Sequence, residues 1–113
     1  MVPMPISTAE KVTSLANYLG SQRRLAEALG VDPAQVSRWH KGQAPDLRNA
    51  ERVDVLELVL SELSRLYEPD VALRWLWGLN PHLGDRRPIE VVRAGQPEEL
   101  VTALRMELAG TPA

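Results

Sequence analysis

The chain has 113 residues, 44% of them hydrophobic, no cysteine, and 13 basic against 15 acidic side chains for a net charge of −2. This length fits one domain or two very small ones, and the composition excludes disulfide bonds and thiolate zinc sites. No apolar run approaches the roughly 18 residues of a membrane span. Because Met1 to Ile6 lacks the charged and apolar regions of a signal peptide, we expect a cytoplasmic protein that contacts no membrane.

Charge is divided unevenly along the chain. Residues 1–45 hold five basic and three acidic side chains, a net +2, whereas residues 46–113 hold eight and twelve, a net −4. The surplus at the front favours contact with nucleic-acid phosphates. Because a surplus of two is small, we expect one copy to bind weakly and a homodimer or a hetero-oligomer to be the working form.

The first predicted helix runs from Ser7 or Thr8 to Leu19. Ser7 followed by Glu10 three residues later is the capping-box pattern, and Gly20 is a stop signal. Apolar residues recur at the three- and four-residue spacing of a buried stripe, namely Val12, Leu15, Ala16 and Leu19. We assign this helix to the scaffold.

The stretch from Gln22 to Gly42 predicts two short helices joined by a sharp turn. Gly30 ends the first helix, because glycine takes the left-handed backbone that a tight reversal needs. Asp32 before Pro33 begins the second, since aspartate caps open amides and proline has no amide to lose there. The residues predicted to face inward are Leu25, Ala26, Leu29, Val36, Trp39 and His40.

The opposite side of the second helix is polar and suited to nucleic acid. Gln35 and Arg38 can each make two hydrogen bonds to a base edge, and Lys41 adds a positive charge. Arg23 and Arg24, at the start of the preceding helix, are placed to contact phosphates. The predicted DNA-binding residues are Arg23, Arg24, Ala34, Gln35, Ser37, Arg38 and Lys41.

This stretch resembles the helix-turn-helix of the Cro and phage-repressor (Xre-like) family. Counted from Gln22, small Ala26 is fifth, Gly30 is ninth and aliphatic Val36 is fifteenth. Two helices that cross steeply need a small residue at the crossing, a glycine in the turn and an apolar anchor. The alternatives are an ordinary two-helix corner and a helix-turn-helix that binds no DNA.

A long helix is predicted from about Asn49 to Tyr67, after a loop at Gln43 to Leu47. Its narrow apolar seam consists of Val53, Leu56, Leu60, Leu63 and Tyr67. Further apolar residues lie outside the seam, namely Val55, Leu58, Val59 and Leu66. These need cover from the C-terminal half or from another copy of the protein.

Beyond Glu68, proline and glycine divide the sequence into short helices. Helices are predicted to begin at Pro69, Pro88 and Pro97, and the last two end at Gly95 and Gly110. The apolar faces of the last two comprise Ile89, Val92, Leu100, Val101, Leu104 and Leu108. A turn-rich loop precedes them, formed by Asn80, Pro81 and Gly84.

Trp75 and Trp77 are two positions apart and cannot share one helical face. Either one packs inward while the other anchors a partner, or both belong to the core. His40 and His82 are the only imidazoles, and neither has partners at metal-ligand spacing, so we predict no metal and no cofactor. We predict no enzyme either, because no stretch sets a base, a nucleophile and an oxyanion donor at useful spacing.

The C-terminal half resembles the toxin-binding domain of the Xre/MbcA/ParS family of antitoxins. The matching residues are Trp75, Asn80, Pro81, Leu83, Gly84, Arg86, Pro88, Ile89, Val92, Gly95, Val101 and Leu104. With the helix-turn-helix, the resemblance spans about Ser7 to Gly110. Two positions depart from the family pattern: Asp85 stands where a second glycine is frequent, and Arg87 where a small hydroxyl residue often precedes the proline.

The resemblance implies an all-α fold with a helix-turn-helix region at 1–47, a connecting helix at 48–67 and a toxin-binding domain at 68–113. It implies a RES-domain toxin that consumes NAD+ and is inhibited when the antitoxin covers its active-site cleft, and repression of the shared operon through the helix-turn-helix. The expected toxin contacts are Trp75, Trp77, Asn80, Leu83, Arg86, Arg87, Arg93, Gly110 and Thr111. The alternative is a stand-alone repressor whose C-terminal half serves only for dimerisation.

Overall fold

The computed structural model describes residues 7–110, which form seven α-helices and one 3₁₀ turn. The helices are α1 (Thr8–Leu19), α2 (Gln22–Leu29), α3 (Pro33–His40), α4 (Leu47–Ser64), α5 (Pro69–Trp77), α6 (Pro88–Ala94) and α7 (Pro97–Leu108), with the 3₁₀ turn at Pro81–Leu83. Within this described part there is no strand, only an isolated bridge between Asn80 and Arg86. The predicted all-α class is confirmed.

The chain divides into two compact units, Met1–Val53 and Asp54–Ala113, so that the boundary falls inside α4. In the first unit, α1, α2 and α3 pack on one another. The second contains α5, α6, α7 and the 3₁₀ turn, together with the last part of α4. The finer division into three segments, at 1–47, 48–67 and 68–113, stays a prediction. Over residues 7–110, every helix is too short or too polar to cross a bilayer.

Side chains cap the helices of the first unit at the predicted places. The Ser7 hydroxyl accepts a hydrogen bond from the Glu10 N–H at 3.2 Å, and the Asp32 carboxylate accepts one from the Ala34 N–H at 2.8 Å. These acceptors satisfy amides that have no partner inside the first turn of a helix. Gly30 takes the left-handed conformation, with φ of 71°, so the predicted turn is confirmed.

The core of the first unit is formed by the predicted stripes. Its buried residues on α1 to α3 are Val12, Leu15, Ala16, Leu19, Leu25, Ala26, Ala28, Leu29, Val36 and Trp39. Ala28, which is fully buried, was not among the predicted residues. His40, predicted on the inward side as a core or helix-end residue, ends α3 and is exposed, and its ring contacts Thr13 on α1.

The long helix α4 begins and ends earlier than predicted. The Asp46 carboxylate accepts a hydrogen bond from the Asn49 N–H at 2.8 Å, and this cap starts the helix at Leu47. Tyr67 lies beyond the helix, in the following turn, and is half-buried. The rest of the predicted seam is buried, namely Val53, Leu56, Leu60 and Leu63. Outside the seam Val59 is buried, Val55 is half-buried, and Leu58 and Leu66 are exposed.

Short helices that begin at proline enclose the core of the second unit. Pro69, Pro88 and Pro97 occupy first-turn positions of α5, α6 and α7, as predicted. The buried apolar residues beyond α4 are Ala72, Leu76, Leu83, Pro88, Ile89, Val91, Val92, Leu100, Ala103 and Leu104. Val91 was not predicted to be buried. Because α6 packs against both α5 and α7, more than one of its faces is covered.

The loop before α6 is organised by Asn80. Its side-chain oxygen accepts from the His82 N–H at 2.9 Å, and its carbonyl accepts from the N–H groups of Leu83 and Asp85. Gly84 and Asp85 are consecutive residues with left-handed backbone, at φ of 65° and 64°. A glycine would adopt this backbone at position 85 without the steric cost that a Cβ brings, which gives the family's frequent glycine a physical reason.

Candidate functional site

The outer face of α3 is the first candidate site. Arg38 and Lys41 are exposed, and Gln35 and Ser37 are half-buried, as they lie closer to the packed side. Ala34, also predicted for this face, is exposed. On the opposite side Val36 and Trp39 hold the helix in the first unit. A helix that is anchored along one side and polar along the other has the form of a DNA major-groove reader.

Two arginines lie at the start of α2. Arg23 and Arg24 are both exposed, and the Arg24 N–H donates a hydrogen bond of 3.1 Å to the Ser21 hydroxyl, which caps this helix. Both residues therefore belong to the first turn of a helix, whose N-terminus is itself electropositive. Arginines at such a position are suited to contacting the DNA backbone rather than the bases.

The C-terminal end of α3 is tied to α1 through a pair of side chains. The Thr13 hydroxyl donates to the Ala9 carbonyl at 2.9 Å, and its oxygen lies 2.9 Å from Nδ1 of His40. The exposed His40 therefore connects the C-terminal end of α3 to α1. Residues 7–110 contain no cluster of three histidine, aspartate or glutamate residues that could hold a metal ion.

In the second unit, the predicted arginines connect neighbouring elements. The Arg86 guanidinium donates to the Leu83 carbonyl at 2.8 Å and forms an ion pair with Glu99 on α7. The Arg87 guanidinium donates to the carbonyl of Trp77, at the end of α5. Both side chains remain nearly half exposed, so each retains surface for a partner.

The two tryptophans of α5 are neither fully buried nor fully exposed. Trp75 and Trp77 are both half-buried, and the Arg93 guanidinium lies 5.6 Å from the centre of the Trp77 ring, within the range of a cation–π contact. The structure therefore brings Trp77, Arg87 and Arg93 together into one surface cluster.

Two predicted contact residues lie inside the second unit. Asn80 is 6% exposed and Leu83 is 2% exposed, so both shape the loop from within. Gly110, by contrast, is exposed and has a left-handed backbone with φ of 69°. Thr111 lies outside the described residues.

A shallow cavity of about 290 Å³ beside Trp75 was not predicted from the sequence. Its lining consists of Arg74, Trp75, Gly78, Leu79, Asn80, Pro81, His82 and Glu107. Leu79 is 64% exposed and adds an apolar side chain to this lining. The one signal in the sequence is the apolar Leu79 within a turn-rich stretch. Gly78 keeps this segment close to α5, since a Cβ there would lie 2.8 Å from the Arg74 carbonyl oxygen.

Tyr67 and Glu107 form a hydrogen bond between residues 40 positions apart. The Tyr67 hydroxyl donates to Oε1 of Glu107 at 2.9 Å. This bond raises the pKa of Tyr67 above its ordinary value of 10.0, and burial and the negative charge of Glu107 act in the same direction. The hydroxyl therefore stays protonated, and the bond persists, throughout the neutral pH range.

Known proteins resemble this chain in both sequence and structure. A family model described as helix-turn-helix matches residues 19–54. The mycobacterial cidal antitoxin MbcA of Mycobacterium bovis and that of Mycobacterium tuberculosis are each 26% identical over 98 residues, which cover 85% of this chain and 87% of each relative. A chain in the crystal structure of the M. tuberculosis MbcT–MbcA toxin–antitoxin complex superposes with a TM-score of 0.75 and 25% identity, over 93% of this chain and 96% of that one.

Proposed function

We propose that the chain, which is similar to MbcA antitoxins over most of its length, is the antitoxin of a toxin–antitoxin pair in the Xre/MbcA family and also binds DNA. The observation that carries the proposal is the similarity to MbcA, which covers 85% of the chain and is not confined to the helix-turn-helix. The superposition on a chain of a toxin–antitoxin complex supports a toxin as the protein partner. The proposed role is binding, with no catalytic residue and no cofactor.

The proposed partner is a RES-domain toxin that consumes NAD+. In this proposal the second unit, including the end of α7, covers the active-site cleft of the toxin. The exposed or half-buried members of the predicted contact set supply the surface, namely Trp75, Trp77, Arg86, Arg87, Arg93 and Gly110, with Thr111 beyond them. Large aromatic and arginine side chains are the types in which binding energy concentrates.

The proposed second activity is repression of the chain's own operon in the cytoplasm. The polar face of α3 would read bases, and Arg23 and Arg24 would contact phosphates. Residues 7–53 carry seven basic and five acidic side chains, a net +2, so one copy offers little electrostatic attraction. A homodimer, or a hetero-oligomer with the toxin, would present two reading helices to one operator.

Co-expression tests the antitoxin function directly. The product of the adjacent gene is expressed alone and together with this chain, and growth, cellular NAD+ and co-purification are measured. We expect arrest and a fall in NAD+ with the neighbour alone, and recovery of both, with a stable complex, when the chain is present. A neighbour that is harmless alone, or that is not retained by the chain, would refute the proposal.

The second candidate function is a stand-alone repressor, and the exposed polar face of α3 together with the helix-turn-helix match favours it. In that case the second unit would serve for self-association only. Operator binding by the chain without any co-purifying neighbour would then be the observed result.

A further inference from the structure

The last turn of α7 is less buried than the part of the helix before it. Leu100, Ala103 and Leu104 are at most 4% exposed. In the last turn Arg105 and Met106 are exposed, and only Glu107 and Leu108 are half-buried. In this turn Glu107 and Leu108 are therefore the residues that contact the rest of the second unit.

Tyr67 supplies one of these contacts from a fixed part of the second unit. Its backbone N–H donates to the Leu63 carbonyl at 2.9 Å, and Leu63 is fully buried. Its hydroxyl donates to the Glu107 carboxylate at 2.9 Å. A hydrogen bond to an ionised acceptor is stronger than one between neutral groups, so this bond is well suited to holding a helix end.

Glu107 also lines the cavity that contains Trp75 and the exposed Leu79. The bond from Tyr67 consequently fixes two features at once. It orients a carboxylate at the edge of the cavity beside Trp75, and it connects the last turn of α7 to the turn that follows α4.

We propose that Tyr67 is a positioning residue for toxin binding, because it holds Glu107 and thereby the last turn of α7 in the arrangement that the partner contacts. The inference rests on the proposed antitoxin function. It names the hydrogen bond between Tyr67 and Glu107 as the contact that holds the C-terminal region in its toxin-binding arrangement. Tyr67 acts through Glu107 and makes no contact with the partner.

The first test compares hydroxyl deletions in the full-length chain. The dissociation constant for the purified toxin is measured by calorimetry for the wild type, Tyr67→Phe and Tyr18→Phe. We expect Tyr67→Phe to weaken binding about five- to tenfold, the effect of one lost hydrogen bond. Tyr18→Phe removes the same group from the first unit and is expected to leave the constant unchanged. Circular dichroism confirms that each variant is folded.

The second test separates positioning from general stability. Glu107→Gln keeps an acceptor oxygen for Tyr67 but loses the charge that strengthens the bond, so it is expected to bind more weakly than the wild type and more tightly than Glu107→Met, which loses the bond. In the Glu107→Met background, Tyr67→Phe should cause no further loss. Wild-type affinity for Tyr67→Phe, or losses that multiply in the double variant, would overturn the inference. A wild-type chain that fails to bind the toxin would instead count against the proposed function.

Discussion

The Ala34 backbone N–H donates a hydrogen bond of 2.8 Å to the Asp32 carboxylate. With Pro33 between them at the first helical position, this bond determines where α3 begins. The position of every side chain on the outer face of α3 follows from that starting point, so the candidate DNA surface depends on a local cap.

Removal of this cap should destabilise the first unit. Asp32→Ala is expected to lower the free energy of unfolding by about 1 kcal/mol, because the amides of the first turn lose their acceptor. Asp32→Asn retains a capping oxygen and should stay close to the wild type. Urea unfolding followed by circular dichroism measures both, and equal losses for the two variants would contradict a capping role.

Substitution on the outer face of α3 should weaken DNA binding without unfolding the chain. Arg38→Ala is expected to lower affinity for the DNA upstream of the gene about 5- to 100-fold, the range for one lost base contact. Gln35→Ala should act in the same direction. The control is Arg65→Ala, which removes an exposed arginine from the second unit. A gel-shift titration in which Arg38→Ala matches this control would argue against α3 as the reading helix.

Two leucines three positions apart should respond differently to truncation. Leu63 is fully buried, so Leu63→Ala is expected to cost about 2 to 5 kcal/mol of unfolding free energy through lost burial and a cavity. Leu66 is 60% exposed, and Leu66→Ala should cost less than about 0.5 kcal/mol. Denaturant unfolding gives both values. A large loss at Leu66 would indicate that another copy of the chain covers this residue.

The left-handed backbone at Asp85 predicts an unusual order of stability. Asp85→Gly relieves the contact of Cβ with the backbone, and the extra freedom of glycine in the unfolded chain offsets part of this gain, so we expect about 0.5 kcal/mol of net stabilisation. Asp85→Val should cost about 1 to 2 kcal/mol, since β-branched residues rarely adopt this conformation. Thermal unfolding orders the three proteins, and a valine variant as stable as the glycine variant would be inconsistent with the observed φ.

Shortening the chain at two places should separate binding from folding. A chain that ends at Gly110 keeps the seven helices of residues 7–110 and should remain folded but bind the toxin more weakly, because it lacks Thr111. A chain that ends at Gly95 loses the buried residues of α7, among them Leu100 and Leu104, and should be largely unfolded in its second unit. Circular dichroism measures folding, and calorimetry with the toxin measures binding. Full affinity after removal of residues 111–113 would remove Thr111 from the contact set.

The parts of the fold that were predictable have local causes. Pro33, Pro88 and Pro97 begin helices because proline needs no amide partner in the first turn, and the apolar spacing identified most of the buried residues. The apolar spacing predicts the start of α4 two residues late, because it does not identify Asp46 as the cap. The exposure of His40 depends on where α3 ends, which the spacing alone does not determine.

The parts that were not predictable depend on contacts between distant residues. Arg86 pairs with Glu99, 13 positions away, and Tyr67 bonds to Glu107, 40 positions away. Neither pair leaves a pattern in one sequence. The cavity beside Trp75 likewise requires α5, the following loop and the end of α7 to meet, so Leu79 could be recognised as an exposed apolar residue only in the folded chain.

The contact between Thr13 and His40 also couples the direction of the Thr13 hydroxyl to the tautomer of the imidazole. The hydroxyl has one hydrogen, so while the Ala9 carbonyl accepts it, the hydrogen shared with His40 comes from Nδ1 of the ring. With the hydrogen on Nε2 instead, the Thr13 hydroxyl can turn to donate to Nδ1 and gives up the Ala9 carbonyl. The brace between α1 and the end of α3 is therefore kept by either neutral tautomer of the ring.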